Sequence, residues 1–135
     1  MPPIKLLIKL RGSKGHYEAT ALMDSRLSTT ILDRSLADQV GVSFTGVKVN
    51  LTPFYGEVEA EQAVIEELTV SDTPLESELV AVASIPERAK ELLRRLHVDP
   101  RLIVGLSTIE RAGFVPDPSF GALRKADVVF SVWGP

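Results

Sequence analysis

The sequence predicts a mainly β domain, a small barrel or sandwich that carries two or three short helices. Three observations predict it. Short apolar segments recur along the chain with Gly, Pro and Asp between them, the punctuation that hairpins need. Helical periodicity is confined to brief stretches with recognisable starts and stops. The length of 135 residues, with 44% hydrophobic and 24% charged residues, is that of one globular domain spanning 1–135, large enough to bury a core without staples.

The elements follow in order. Ile4 to Leu10 sets Ile and Leu among Lys and reads as a strand near an edge. Gly12-Ser-Lys-Gly15 is a turn, and His16 to Met23 returns as the second strand of a hairpin. A polar break opens at Asp24 and gives way to a β-branched stretch ending at Leu32. Asp33 caps a short helix through Val40, with Leu36, Ala37 and Val40 on its apolar side and Gly41 as its left-handed stop. Strands are expected over Phe44 to Leu51 and Glu57 to Val70, the second with room for a bulge, on either side of Thr52-Pro53-Phe54-Tyr55-Gly56. Leu75 to Ala83 is a further strand, bounded by Pro74 and Pro86. Pro86 sits in the first turn of a helix reaching about His97, whose Ala89, Leu92, Leu93 and Leu96 share one buried face. Arg101-Leu-Ile-Val-Gly105 is a short buried strand, Ser107 to Ala112 a helical turn or two, and Gly113 its stop. Pro116 to Gly121 is a turn, and Ala122 to Trp133 closes the chain as a strand.

Composition excludes several chemistries. There is no cysteine, so disulfides, thiolate metal sites and cysteine nucleophiles are out. His16 and His97 are the only histidines, too few for a three-histidine metal site; no metal and no cofactor is expected. A net charge of −3 argues against nucleic acid as a partner. The absence of a long apolar run argues against a membrane, and the absence of a signal-peptide pattern gives a cytoplasmic address as the expectation. Asn50, Gln39 and Gln62 are the only amides, which agrees with a heat-adapted source. Gly12-Ser-Lys-Gly15 lacks the spacing of a phosphate loop, and no serine sits in a nucleophile elbow. Arg88, Lys90, Arg94 and Arg95, interleaved with Glu87 and Glu91, read as a solvated helix face with an i, i+4 pair between Glu91 and Arg95. His97, at a helix end, is expected to meet the last carbonyls.

Two segments echo each other. Leu22 to Ile31 and Ile103 to Ile109 both run from apolar residues through a break into Leu-Ser-Thr, and a short helix and a Gly follow each, so a degenerate two-fold repeat is favoured. Around these segments Ala21-Leu-Met-Asp24-Ser25-Arg26-Leu27-Ser28-Thr-Thr-Ile-Leu resembles the active-site loop of retroviral-type (retropepsin-like) aspartic proteases. The helix Arg34 to Gly41 is similar to the segment that follows that loop in cellular and microbial members. Leu102-Ile103-Val104-Gly105 with Leu106 to Asp117 resembles their second signature, an apolar strand threaded beside the loop. Pro53-Phe54-Tyr55-Gly56 lies where the family places its substrate-covering flap, and the helix after Pro86 looks like an insertion.

The resemblance implies a closed β-barrel with a flap hairpin, working as a homodimer on peptide or protein substrates. Two carboxylates must share one proton, one acting as acid while the other activates water. One chain offers a single Asp-Ser, so the second Asp24 comes from an identical chain across a two-fold axis. Ser25 hydrogen-bonds across that axis, and Ile103, Val104 and Gly105 support the loop. Apolar residues of Val128 to Trp133 are expected at the dimer interface. Arg26 departs from the family pattern, which has Gly there, and Leu27 replaces a small residue; a guanidinium beside Asp24 opposes the sharing of one proton. The alternative is therefore a catalytically inactive dimer of the same fold that binds an extended peptide or protein in its cleft. A third option is a domain that assembles with a larger partner encoded elsewhere.

Overall fold

Alternation along the strands decides which residues face the interior. In the computed structural model, which describes residues 3–117 and 122–125, the chain begins with β1 (Lys5–Arg11), whose Leu6, Ile8 and Leu10 are buried while Lys5, Leu7 and Lys9 face out. Then come β2 (His16–Met23), β3 (Ile31–Asp33), α1 (Arg34–Val40), β4 (Ser43–Leu51), β5 (Val58–Val70) and β6 (Thr73–Ala83). The chain continues through α2 (Glu87–Arg95), β7 (Leu102–Val104), α3 (Leu106–Arg111), β8 (Phe114–Asp117) and β9 (Ala122–Lys125). The three helices are short, and strands dominate the described residues.

Pairing runs β1-β2-β7-β3-β6-β5 and returns to β1, a closed ring of six strands, with β4 added beside β5. The closure corrects the expectation that β1 lies near an edge: Ile8–Arg11 pair with Glu67–Val70 while the other side pairs with β2. The Lys residues that suggested an edge are the outward half of the alternation. β8 and β9 form a separate two-stranded sheet. The expected turn from Pro116 therefore starts inside a strand, and the expected closing strand is seen over 122–125; its remainder, with the interface expected at Val128 to Trp133, lies outside the described residues.

The ring carries an internal two-fold arrangement. A hairpin β1–β2 leads to β3 and α1, and a hairpin β5–β6 leads to β7 and α3. β2 runs parallel to β7, β6 parallel to β3, and β3 and β7 are antiparallel neighbours. This arrangement matches β3–α1 with β7–α3, a different register from the one the Leu-Ser-Thr echo suggests. The two echo segments instead touch each other: Leu106 N donates to Leu27 O (2.8 Å) and Ser107 N to Ser28 O (2.9 Å).

Two apolar clusters form because the central strands are buried on both faces. Ile8, Ala21, Met23, Leu32, Val80, Val82, Leu102 and Val104 fill one cluster with α1 and α3 against it. Their strand neighbours Leu22, Ile31, Ala81, Ala83 and Ile103 face the other, where Leu27, Tyr55, Ile85, Ala89, Leu93 and Val98 cover them. In α2 only Ala89 and Leu93 are buried; Leu92 and Leu96, expected on the same face, are 46% and 36% exposed. Leu92 and Leu96 instead line an apolar cavity together with Pro3, Leu22 and Phe54. Pro86 is the cap of α2 rather than its first residue, and Pro74 lies inside β6 rather than before it. The irregularity expected in β5 lies in β4, between Phe44 and Lys48, where Gly46 takes φ +85°.

Local caps match the sequence. Asp33 accepts from Ser35 N at the start of α1, and Gly41 ends it with φ +84°. The Gly12–Gly15 turn closes over that end: Lys14 N donates to Val40 O (2.8 Å) and Ser13 N to Gly41 O (3.3 Å). His97, expected to meet the last carbonyls as a histidine, does so through its backbone N, which donates to Arg94 O at 3.0 Å, and not through its imidazole.

Gly105 carries the tightest contact near the loop that follows β2. A Cβ there would lie 2.5 Å from Thr29 C and 2.8 Å from Thr30 N. Gly105→Ala is expected to destabilise the fold by about 1–3 kcal/mol, because backbone must move to admit a methyl group. Gly15→Ala, whose Cβ would meet only Gln39 O at 4.0 Å, serves as the control with little change. Urea unfolding of both variants checks this.

Candidate active site

The loop after β2 owes its shape to backbone pairing with the β7–α3 junction. Asp24 N donates to Val104 O (2.9 Å), and Leu27 N turns back to Asp24 O (3.0 Å). α3 has no side-chain cap; the loop carbonyls of Leu27 and Ser28 take two of its first N–H groups instead, as helix starts require. Thr30 Oγ1 accepts from Gly105 N (3.1 Å) and bonds Thr108 Oγ1 at 2.6 Å, both side chains being fully buried. Gly105 is therefore the position at which loop and strand approach most closely.

The loop residues divide by environment. Asp24 is buried, Ser25, Arg26 and Ser28 are exposed, and Leu27 is fully buried in the cluster under α2. Leu27 thus adds core volume and leaves the solvent side of the loop unchanged. Ile103 and Val104 are buried on opposite faces of β7.

Both oxygens of the Asp24 carboxylate are occupied. Oδ1 accepts from Arg26 N at 3.1 Å, and Arg26 Nε stands 3.6 Å from the same atom. Oδ2 accepts from Phe54 N at 2.7 Å. The Arg26 side chain is 68% exposed, so this ion pair contributes little to stability, yet it lies at the mouth of the site. The guanidinium that the sequence placed in question therefore does sit beside Asp24.

Pro53 to Gly56 forms the turn between β4 and β5. Gly56 N donates to Pro53 O (3.1 Å), and Gly56 takes φ +112°, a conformation that favours glycine. Pro53 and Tyr55 are buried, Phe54 is half-buried and Gly56 exposed; the two rings meet edge to face with centroids 5.2 Å apart. Arg88 Nη2, from α2, donates to Tyr55 O at 3.0 Å. The Tyr55 hydroxyl is buried with no hydrogen-bond partner among the described residues. Burial, then the charge of Asp33, pushes its phenol above the ordinary range against a smaller opposing effect of Arg88. Beside this turn an apolar cavity of about 360 Å³ is lined by Pro3, Leu22, Phe54, Leu92, Arg95 and Leu96.

A second buried carboxylate stands behind the turn. Asp33 Oδ2 accepts from Ser35 N (3.2 Å) and Ser35 Oγ (2.5 Å), Oδ1 from Ile85 N (2.8 Å), and Lys90 Nζ lies 3.6 Å away. Burial alone raises its pKa, but the Ser35 and Ile85 hydrogen bonds with the Lys90 charge outweigh that and hold it below the usual carboxylate value.

Sequence reasoning missed four of these participants. Arg88 and Lys90 read as members of a solvated face, and the Glu87–Arg94 and Glu91–Arg95 pairs do lie there; Arg88 and Lys90 turn toward Tyr55 and Asp33. Nothing local signals contacts across such separations. Thr30 and Thr108 left a fainter signal, as threonines set among apolar neighbours that must be paired if buried. No group of three or more His, Asp or Glu side chains that would hold a metal ion stands together among the described residues, and no helix there is long and apolar enough to cross a membrane.

Because Asp33 is more acidic folded than unfolded, it stabilises the protein above its unfolded pKa, and this is lost as pH falls through the folded value. Asp33→Asn is expected to cost about 1–3 kcal/mol at neutral pH. The gap from wild type should close on acidification, as measured by denaturant midpoints across pH.

Neither a protein-family model nor a curated protein matches the chain. Among solved structures it is similar to a retropepsin-like aspartic protease from Rickettsia conorii, with a TM-score of 0.50, 18% identity, and coverage of 82% of this chain and 83% of that one. The mainly β chain, with its closed six-stranded barrel and three short helices among the described residues, has a retropepsin-like fold.

Proposed function

We propose that this protein is an aspartic endopeptidase-like homodimer, in which two Asp24 carboxylates, one from each chain, activate a water molecule to hydrolyse peptide bonds. The observation that carries this reading is the position of Asp24: a buried carboxylate at the end of β2, its backbone N bonded to Val104 O of β7, in a retropepsin-like fold. Each chain brings one such carboxylate, so a two-fold dimer is needed to set one acid against one base. One carboxylate takes a proton from water as the water attacks the scissile carbonyl carbon, and the other protonates the carbonyl oxygen. Ser25, exposed next to Asp24, holds the two loops in register across the axis. The Pro53–Gly56 turn acts as the flap over an extended peptide, and no metal or cofactor takes part.

Incubation with a diverse peptide library between about pH 3 and 7 tests the reading. Wild type is expected to cleave, and Asp24→Ala to lose about 10²–10⁴-fold in rate. No cleavage across that range, or equal cleavage by the two proteins, would remove the enzymatic assignment.

A second reading has its own observation. Arg26 N and Phe54 N of the chain itself already donate to the Asp24 carboxylate, and the Arg26 guanidinium pairs with it, which favours a dimer that binds an extended peptide without cutting it. Arg26→Gly separates the two: cleavage that appears only in this variant identifies the binding protein, and equal cleavage by both identifies the enzyme.

A further inference from the structure

Three contacts run in series from α2 to the candidate catalytic carboxylate. Arg88 Nη2 donates to Tyr55 O at 3.0 Å. Tyr55 is joined to Phe54, and its ring is buried in the cluster that α2 covers. Phe54 N donates to Asp24 Oδ2 at 2.7 Å. The turn is also closed on itself through Gly56 N and Pro53 O, so Phe54 N and the Tyr55 carbonyl that Arg88 holds belong to one hydrogen-bonded turn. The interaction with Arg88 is charge-assisted and crosses 33 residues of sequence. Its donor is an exposed side chain on a helix whose buried residues are Ala89 and Leu93.

We infer that Arg88 is a positioning residue that latches the β4–β5 turn onto Asp24, so that the resting chain caps its own carboxylate. A peptide lying over Asp24 must compete with Phe54 N–H for Oδ2 and shift the turn that Arg88 holds. In this arrangement α2 sets how readily the site opens. The inference deepens the endopeptidase reading by assigning a regulation to the same site, but the contacts it rests on do not require cleavage.

Residue-resolved amide hydrogen exchange on the full chain tests it, alongside the peptide-library assay. In wild type the Phe54 amide should be protected relative to random-coil exchange. Arg88→Gln should raise exchange at Phe54 and Gly56 about tenfold, while amides of β3 and β7 keep their wild-type protection. Arg88→Lys, which keeps the positive charge that Gln lacks, should restore part of the protection. Asp24→Ala, which removes the acceptor, should free Phe54 with Arg88 still in place. If peptide cleavage occurs, Arg88→Gln should lower KM more than it changes kcat.

An unprotected Phe54 amide in wild type, or protection unmoved by Arg88→Gln, overturns the latch. A general rise in exchange across α2 and the barrel overturns it too, since that is the signature of a merely structural arginine. Exchange results as expected without any cleavage by wild type leave the latch standing and remove the endopeptidase reading, so the two failures are distinguishable.

Discussion

The backbone approach between the loop after β2 and the β7–α3 junction is the constraint on which the site depends. Four hydrogen bonds fasten it: Asp24 N to Val104 O, Leu106 N to Leu27 O, Ser107 N to Ser28 O, and Gly105 N to Thr30 Oγ1. They satisfy groups that burial and a helix start would otherwise leave unpaired. They also fix the direction from which Asp24 leaves the barrel. A side chain at position 105 would push directly on Thr29 and Thr30, so one glycine governs both the packing of two halves of the fold and the placement of a carboxylate.

The two apolar clusters give this junction its surroundings. Short strands buried on both faces, β3 and β7, present unbroken apolar triplets or pairs, with one face toward the barrel interior and the other toward α2. α2 in turn brings Arg88 and Lys90 to the underside of the turn region, where they meet a carbonyl and a buried carboxylate. A helix added over the sheet's outer face thereby becomes part of the site's framework.

Much of this was legible in the residues, and the boundary of legibility is physical. Features that depend on near neighbours in sequence read correctly: the β2 strand from His16 to Met23, the Asp33 cap, the Gly41 and Gly113 stops, and the Pro53–Gly56 turn. Features decided by what packs alongside did not. β1 looked like an edge because its partner β5 lies far away in sequence. Leu92 and Leu96 share a helical stripe with Leu93 but line an open apolar cavity instead of joining the core. The motif around Asp24 pointed to the correct fold even with Arg26 in it, since strand order depends on the apolar segments and not on that exposed side chain. The hydrogen bond from Phe54 to Asp24 joins residues 30 apart and had no local signature.

The long strand β5 has a mechanical consequence. One edge pairs with β6 along nearly its whole length, while the other changes partner, from β4 over Val58–Val64 to β1 over Glu67–Val70. Its second half closes the barrel onto β1. Its first half carries β4 on one edge and keeps β6 on the other from Glu61 onward. Only residues 58–60 therefore run beyond the last β6 pair, toward the turn that Phe54 N ties to Asp24. The overhang is a short lever: displacement of the turn bends residues 58–60, while the strand pairs from Glu61 onward hold the barrel's shape.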